Sequence, residues 1–471
     1  MSPNPSPDPL SKEEIATLLG RGRAHFVGVA GAGMSALAEY RRLAGGATSG
    51  SDRFFDRGVQ LEERDRLARL GVEILPQDGR GVEGASCVVA STAVEAAIPD
   101  LARARELGVP VLHRSELLAR HVDEGTTLAV TGTSGKSTVV GLAHSALAAA
   151  GADPGVITGG ELLALRRGDH RGNAGRGRGP LVIEADESDR SLDRYAPDLG
   201  LILNLQRDHL PEDELRALFD RFADRCARLV VAEDEALASL HDRGLVFGFG
   251  PRAAFRAHHD ADRGILRVED LEIRLPQPGR HTAFNALAAL AAVRALGEDL
   301  GAAARGIEGF RGIHRRFEVL GRPGGVQVID DFAHNPAKIA AALEALGRSR
   351  GRAFALFQPH GFAPTKFYRE ELVEALATGL ADDDVLILRP IYYAGGSAVK
   401  DIASEDLVAD LAARGRSAVV LGDPGEIGRF LAERARPGDV VLSMGARDPE
   451  LHGFARGLAR ALSGDAAESS C

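Results

Sequence analysis

Lys136 and Ser137 close a glycine turn, Thr131-Gly132-Thr133-Ser134-Gly135-Lys136-Ser137-Thr138, that follows the apolar run Leu128-Ala129-Val130. An apolar helix is predicted next, from Val139 to Ala150. Glycines let backbone N–H groups close on a phosphate, and a helix start aims its positive end at it. Lys136 supplies a compact charge for outer phosphates, and the Ser137 hydroxyl suits Mg²⁺. Gly132 lies three residues before Gly135, a tighter loop than the common Walker spacing, whose first glycine would fall at Val130. Basic residues are nearly all Arg, with Lys only at 12, 136, 338, 366 and 400, so a lysine here marks a need for a point charge. A chance helix cap also gives Ser-Gly-Lys-Ser. Strand, turn, Lys-Ser and helix together favour nucleotide phosphate binding.

Two later apolar runs are expected to pair beside this loop. Leu181-Val182-Ile183 ends in Glu184-Ala185-Asp186-Glu187-Ser188-Asp189, and Leu201-Ile202-Leu203-Asn204 ends shortly before Asp208-His209. In open α/β sheets the site lies at the carboxyl ends of the strands. Glu184 and His209 are therefore expected to meet Lys136 and Ser137 in one crevice. A carboxylate, an imidazole and a hydroxyl around phosphate oxygens suit one or two divalent ions. Asp186 and Asp189 fit a solvated helix start equally well.

A second glycine turn, Gly28-Val29-Ala30-Gly31-Ala32-Gly33-Met34-Ser35-Ala36, is followed by Asp52 about twenty residues on. This meets the dinucleotide fingerprint, and UDP-linked ligands fit it as well as NAD. A nicotinamide-dependent oxidoreductase would leave Lys136-Ser137 unexplained. Asn285 reads either as a helix cap or as a contact to a base edge. Arg315-Arg316-Phe317-Glu318 reads as a surface ion-pair cluster or as a charge for the nucleotide. Gly244–Leu275 is read as a β-rich patch, and His258-His259-Asp260 within it as plain turn residues rather than a metal cluster.

The elements that must position these residues alternate between apolar strand runs and helical patterns, which predicts α/β architecture with parallel sheets. At 471 residues several domains are expected, and the limits are set at 1–122, 123–312 and 313–471. Arg166 to Pro180, rich in Gly and Arg, is read as a loop, and an Ala-rich helix is expected after Phe284. The third domain is expected to carry strands at Val326–Ile329, Ala353–Phe357, Val385–Leu388, Ala418–Leu421 and Val440–Ser443. A formal charge of −10 argues against general nucleic-acid or anionic-membrane binding. Cys87, Cys226 and Cys471 make no disulfide framework and no metal-ligand spacing. With no signal-like start and no membrane-length apolar run, the cytoplasm is the expected setting.

With these motifs in place the chain resembles the Mur ligases, ATP-dependent amide ligases of peptidoglycan synthesis, and is most similar to their alanine-adding branch. The resemblance spans nearly the whole chain. Its carriers are Gly28–Ala38 with Gly50-Ser51-Asp52, Thr131–Thr138, Glu184–Asp189, Asp208-His209, Gly279–Ala289, Arg315–Glu318, Asp330–Pro336 and Phe357-Gln358-Pro359-His360. It implies a Rossmann-like N-terminal domain, a central P-loop ATPase-type domain and a Rossmann-like C-terminal domain that takes the amino acid. It implies that Gly31, Ala32, Gly33, Ser51, Asp52, Ser91, Thr92 and Arg114 line a UDP-sugar site. ATP would be held by Gly132, Thr133, Ser134, Gly135, Lys136, Ser137, Thr138, Asn285, Arg316 and Asp331. Ser137, Glu184 and His209 would hold magnesium, and His334 would sit near the incoming amino acid, so that Lys136, Glu184, His209 and His334 carry the chemistry. The implied partners are a UDP-N-acetylmuramate-type nucleotide sugar and an amino acid, L-alanine first, on a monomer or weak homodimer. The implied reaction passes through an acyl phosphate, which domain closure would shield from water.

Several positions depart from that branch. Ser134 stands where a His is usual, Phe332 where a Tyr is, and Thr282 where an Asn is. Gly361 and Pro364 replace two arginines that grip the amino acid's carboxylate, a loss that weakens the clamp unless Lys366 or another arginine substitutes. A tripeptide-recycling ligase is the nearest alternative.

Overall fold

The computed structural model describes residues 11–463, except 93, 96, 188–190, 206–210, 348–350 and 394–398. The chain divides into two compact units. One is Met1–Pro276 with Thr282–Arg311, and the other is Gln277–His281 with Gly312–Cys471.

The first unit holds two sheets. The first contains β1 (Arg23–Val27), β2 (Thr48–Ser51), β3 (Glu73–Ile74), β4 (Ala85–Ala90) and β5 (Val111–His113), all parallel in the order β3-β2-β1-β4-β5. The second has ten strands. They are β6 (Thr127–Thr131), β7 (Gly155–Ile157), β8 (Ala174–Gly175), β9 (Leu181–Glu184), β10 (Leu199–Ile202), β11 (Arg228–Ala232), β12 (Leu245–Gly248), β13 (Phe255–Asp260), β14 (Ile265–Val268) and β15 (Leu271–Arg274). Their order is β15-β14-β13-β12-β11-β10-β6-β9-β7-β8, which puts β6 between β9 and β10. The parallel strands β12, β11, β10, β6, β9 and β7 are buried almost throughout, so they read as continuous apolar runs rather than alternating ones. One hydrophobic core runs through both sheets, from Phe26 and Leu37 to Leu128, Phe219 and Leu290.

Three sequence readings change here. Residues 258–260 are the end of β13, paired antiparallel with β14, rather than a turn. Phe255 and Ala257 point inward, so the polar residues after them extend a half-buried hairpin strand. Within 166–180, Ala174-Gly175 forms a short strand against β7, which allows this Gly-rich segment to close the sheet edge. The Ala-rich helix also starts earlier, spanning Arg280–Leu296.

A buried charge network ties the helices Ala32–Leu43 and Leu61–Arg69 to residues 169–171. Arg66 donates to Glu39 (2.9 Å), to both oxygens of Glu63 (2.7 and 2.8 Å) and to the Asp169 carbonyl (2.8 Å). His170 and Arg171 approach Glu39 and Glu63 at 2.8 and 2.9 Å. Each buried carboxylate thus has more than one partner, the condition under which buried charges are tolerated.

The second unit holds β16 (Glu318–Gly321), β17 (Gln327–Asp331), β18 (Ala353–Phe357), β19 (Val385–Leu388), β20 (Ala418–Val420) and β21 (Val440–Met444) in the order β16-β17-β21-β18-β19-β20. Only β16 runs antiparallel. Among the described residues no helix is long and apolar enough to cross a membrane.

Candidate active site

The phosphate-loop glycines take the backbone shapes that the loop needs. Gly132 and Gly135 have φ of 136° and 84°, a region that side chains disfavour. Gly135 caps the helix Lys136–Ala149, and a Cβ on it would lie 2.9 Å from Asn285 Oδ1. The buried Asn285 amide therefore stands directly against the loop. Parallel pairing sets Val130 opposite Glu184 and Thr131 opposite Ile202, bringing both strand ends beside the turn.

Glu184 accepts hydrogen bonds from Ser137 Oγ (3.0 Å), Thr158 Oγ1 (2.7 Å) and the Gly159 amide (2.9 Å). Lys136 Nζ donates to Gly132 O (2.8 Å) and Glu187 Oε2 (2.7 Å). Burial raises the Glu187 pKa, against the lowering pull of the Lys136 charge. The Ser137 hydroxyl beside an oriented carboxylate is an all-oxygen donor pair that fits a hard ion such as Mg²⁺. Asn204, just past β10, accepts from Thr133 Oγ1 (2.8 Å) and Ser134 N (3.0 Å) and donates to Ser134 O (3.1 Å). Asn204 and Thr158 received no role in the sequence reading. The strand-end rule points to Asn204, which directly follows the apolar run. His209, with Asp189 and Asp208, lies outside the described residues.

The first sheet gathers the second set of predicted residues at its carboxyl edge. Gly31 caps the helix Ala32–Leu43, and a Cβ on Gly33 would meet Arg114 Nη1 at 3.4 Å. Asp52 accepts from the Ala30 amide and the Phe54 amide, each at 3.0 Å, so its carboxylate shapes the glycine turn itself. Ser51 is fully buried and its hydroxyl donates to Asp100, which also approaches His25. Ser91 and Thr92 follow β4, the strand beside β1.

In the second unit the residues after β17, β18 and β21 form another cluster. The Asp331 oxygens accept from the Phe317 amide (2.6 Å) and the Ala333 amide (2.7 Å). Asp331 thereby fixes the turn that carries Arg316, and the Arg316 guanidinium stacks 5.4 Å from the Phe332 ring centroid. His334 Nδ1 lies 2.9 Å from Phe332 O, so it donates there and leaves Nε2 as the basic nitrogen. Burial, with the nearby Lys338, His360 and Arg316, brings the His334 pKa down to about 4. His360 stacks edge-on to His334 at 5.4 Å, and burial with the Arg447 charge lowers its pKa too. Gly361 has φ 72° and caps the short helix Phe362–Phe367, a shape that disfavours a side chain. Lys366 is paired with Asp401 on the surface, while Arg447 is exposed close to His360.

Three family models match the chain in sequence. "Mur ligase family, catalytic domain" covers residues 23–126, "Mur ligase middle domain" 130–293, and "Mur ligase, glutamate ligase domain" 315–447. A UDP-N-acetylmuramate–L-alanine ligase of Streptomyces avermitilis is 37% identical over 90% of this chain and 95% of its own length. Its counterpart in Symbiobacterium thermophilum is 38% identical over 93% of this chain and 94% of its own. Among solved structures, the UDP-N-acetylmuramate-alanine ligase MurC of Thermotoga maritima is similar with a TM-score of 0.78. Its identity is 26%, covering 94% of this chain and 99% of that one. A murein peptide ligase of Psychrobacter arcticus shares the fold at a TM-score of 0.61 and 21% identity, over 94% and 99% of the two chains.

Proposed function

The chain belongs to the Mur ligase family, and from that membership we propose that it joins L-alanine to the carboxylate of UDP-N-acetylmuramate, converting ATP to ADP and phosphate. As a member it is an ATP-dependent amide ligase of peptidoglycan synthesis. Residues 1–122 take the nucleotide sugar, 123–312 the ATP, and 313–471 the amino acid. The observation that carries the reading is the phosphate loop framed by Glu184 and Asn285, in the same compact unit as the Gly31–Gly33 turn with Arg114.

In this reading the substrate carboxylate oxygen attacks the γ-phosphorus and ADP leaves, giving an acyl phosphate. The amine then attacks the acyl carbon, phosphate leaves, and the nitrogen gives up a proton to a base or to solvent as the amide forms. Carboxylate and triphosphate repel each other, so the first step needs cations that approach without reorganising. Lys136 supplies the positive charge on the protein side, and the loop amides add N–H donors. A magnesium ion held through Ser137 and Glu184, with His209, would add charge neutralisation at the phosphates. Arg316, on the turn that Asp331 fixes, and Asn285 contact the nucleotide. The neutral His334, with Nε2 unprotonated at neutral pH, receives the amine. Arg447 takes the carboxylate-gripping part that Gly361 and Pro364 cannot supply.

The test is phosphate release with ATP, UDP-N-acetylmuramate and a panel of amines. Turnover with L-alanine above all others is the expected result. Turnover only with glycine, serine or a tripeptide refutes the L-alanine assignment, and turnover with no amine refutes the ligase reading for this chain.

A further inference from the structure

A second group of side chains in the third sheet has no part in the reaction above. His314 precedes the arginine pair, Glu318 opens β16, and His452 stands in the first turn of the helix Leu451–Leu462. One ligand atom from each lies within 4.8 Å of the others. The two imidazoles meet edge to face with centroids 4.2 Å apart, and His314 Nδ1 is 2.8 Å from Glu318 Oε2.

Behind them stands Asp330. Its side chain is fully buried, Oδ2 lies 2.8 Å from His452 Nδ1 and 3.0 Å from Arg315 Nε, and Oδ1 has no hydrogen-bond partner. A buried carboxylate on one ring nitrogen fixes the tautomer and leaves Nε2 outward, the arrangement that supports metal-ligating histidines. Two borderline imidazole nitrogens with a single carboxylate form a mixed N/O set, suited to zinc, cobalt or nickel rather than magnesium. Zinc bonds of ~2.0–2.1 Å set tetrahedral donors about 3.4 Å apart, so binding requires the side chains to draw in from their present spread of up to 4.8 Å.

We propose that His314, Glu318 and His452 bind one late first-row divalent ion of the zinc class, stapling the Arg315–Phe317 turn to the last helix. A staple has a physical use there. Arg315 and Phe317 hold φ of 56° and 48°, left-handed conformations that persist at non-glycine residues only where the surroundings enforce them. The site does not depend on the ligase reading.

Metal-stripped full-length protein is titrated with Zn²⁺ by calorimetry and with Co²⁺ by visible absorption, both in excess Mg²⁺. One equivalent should bind, with cobalt d–d bands and a raised thermal midpoint. His314→Gln, Glu318→Gln and His452→Gln should each weaken binding at least about tenfold, since even the loss of an outer partner of a ligand costs that much. Less than one equivalent, or undiminished binding in the H314Q/H452Q double variant, overturns the proposal. Should the variants fail to fold, side-chain NMR of the unaltered protein decides it. Zn²⁺ must shift His314 and His452, and shifts confined to His334 and His360 overturn it.

Discussion

Lys136 is held between the Gly132 carbonyl and Glu187, so an incoming phosphate competes with a carboxylate whose affinity for protons burial already raises. Lys136→Ala and Glu184→Ala should each lower ADP formation by ~10²–10³-fold or more, the usual cost of losing one preorganised charge or donor. Both should leave the circular dichroism spectrum unchanged. Near-normal turnover in either variant removes that residue from the reaction. Arg447 is the corresponding test at the amine end. Arg447→Ala should raise KM for the amino acid at least about tenfold with kcat little changed, and Lys should restore part of it, because a charge-assisted pair is worth roughly 1.5–3 kcal/mol. An unchanged KM assigns the carboxylate to another group.

At the scale of elements, the Arg66 network and the phosphate loop behave differently under substitution. Arg66→Met leaves Glu39 and Glu63 buried without their shared cation, and should cost ~3–5 kcal/mol in urea unfolding. A loss under 1 kcal/mol would mean that His170 and Arg171 suffice. Gly135→Ala puts a methyl group against Asn285 in a conformation that costs roughly 1–2 kcal/mol, and should abolish ATP binding while the fold survives. The central frame was legible in the sequence because β6, β9 and β10 are apolar runs buried on both faces, each ending in a polar signal at the same edge. What escaped was tertiary. Asn204 ends a run expected beside the loop, but its side-chain bonds to Thr133 and Ser134 leave no mark in the sequence. His258 and His259 look like a turn because only two inward residues mark β13. Gln277–His281 runs into the first two residues of the helix Arg280–Leu296, yet belongs with the second unit, where Gln277 Nε2 donates to Phe317 O at 3.1 Å.

For the whole molecule, the direction of the pKa shifts sets the pH dependence of stability. His144, His281 and His334 are all lowered, chiefly by burial, so below pH ~6.5 the unfolded chain binds protons that the folded chain refuses. Asp100 and Glu124 are lowered as well, which acts in the same direction at lower pH, while Glu187 and Asp331, raised by burial, oppose it in part. The thermal midpoint should therefore fall steadily between pH 7 and about 4, the value that His334 reaches. A flat profile over that range would contradict the buried neutral histidines. The order β9-β6-β10 has a further consequence, for synthesis. Ser137 meets Glu184 across 47 positions of chain, and Thr133 meets Asn204 across 71. While the ribosome is still making that stretch, β6 and its glycine loop have left the tunnel with neither neighbour, an exposed apolar edge of the kind chaperones bind. A nascent chain halted at Pro180 should carry the complete nucleotide-binding motif and bind no nucleotide, because the motif's frame has yet to be translated.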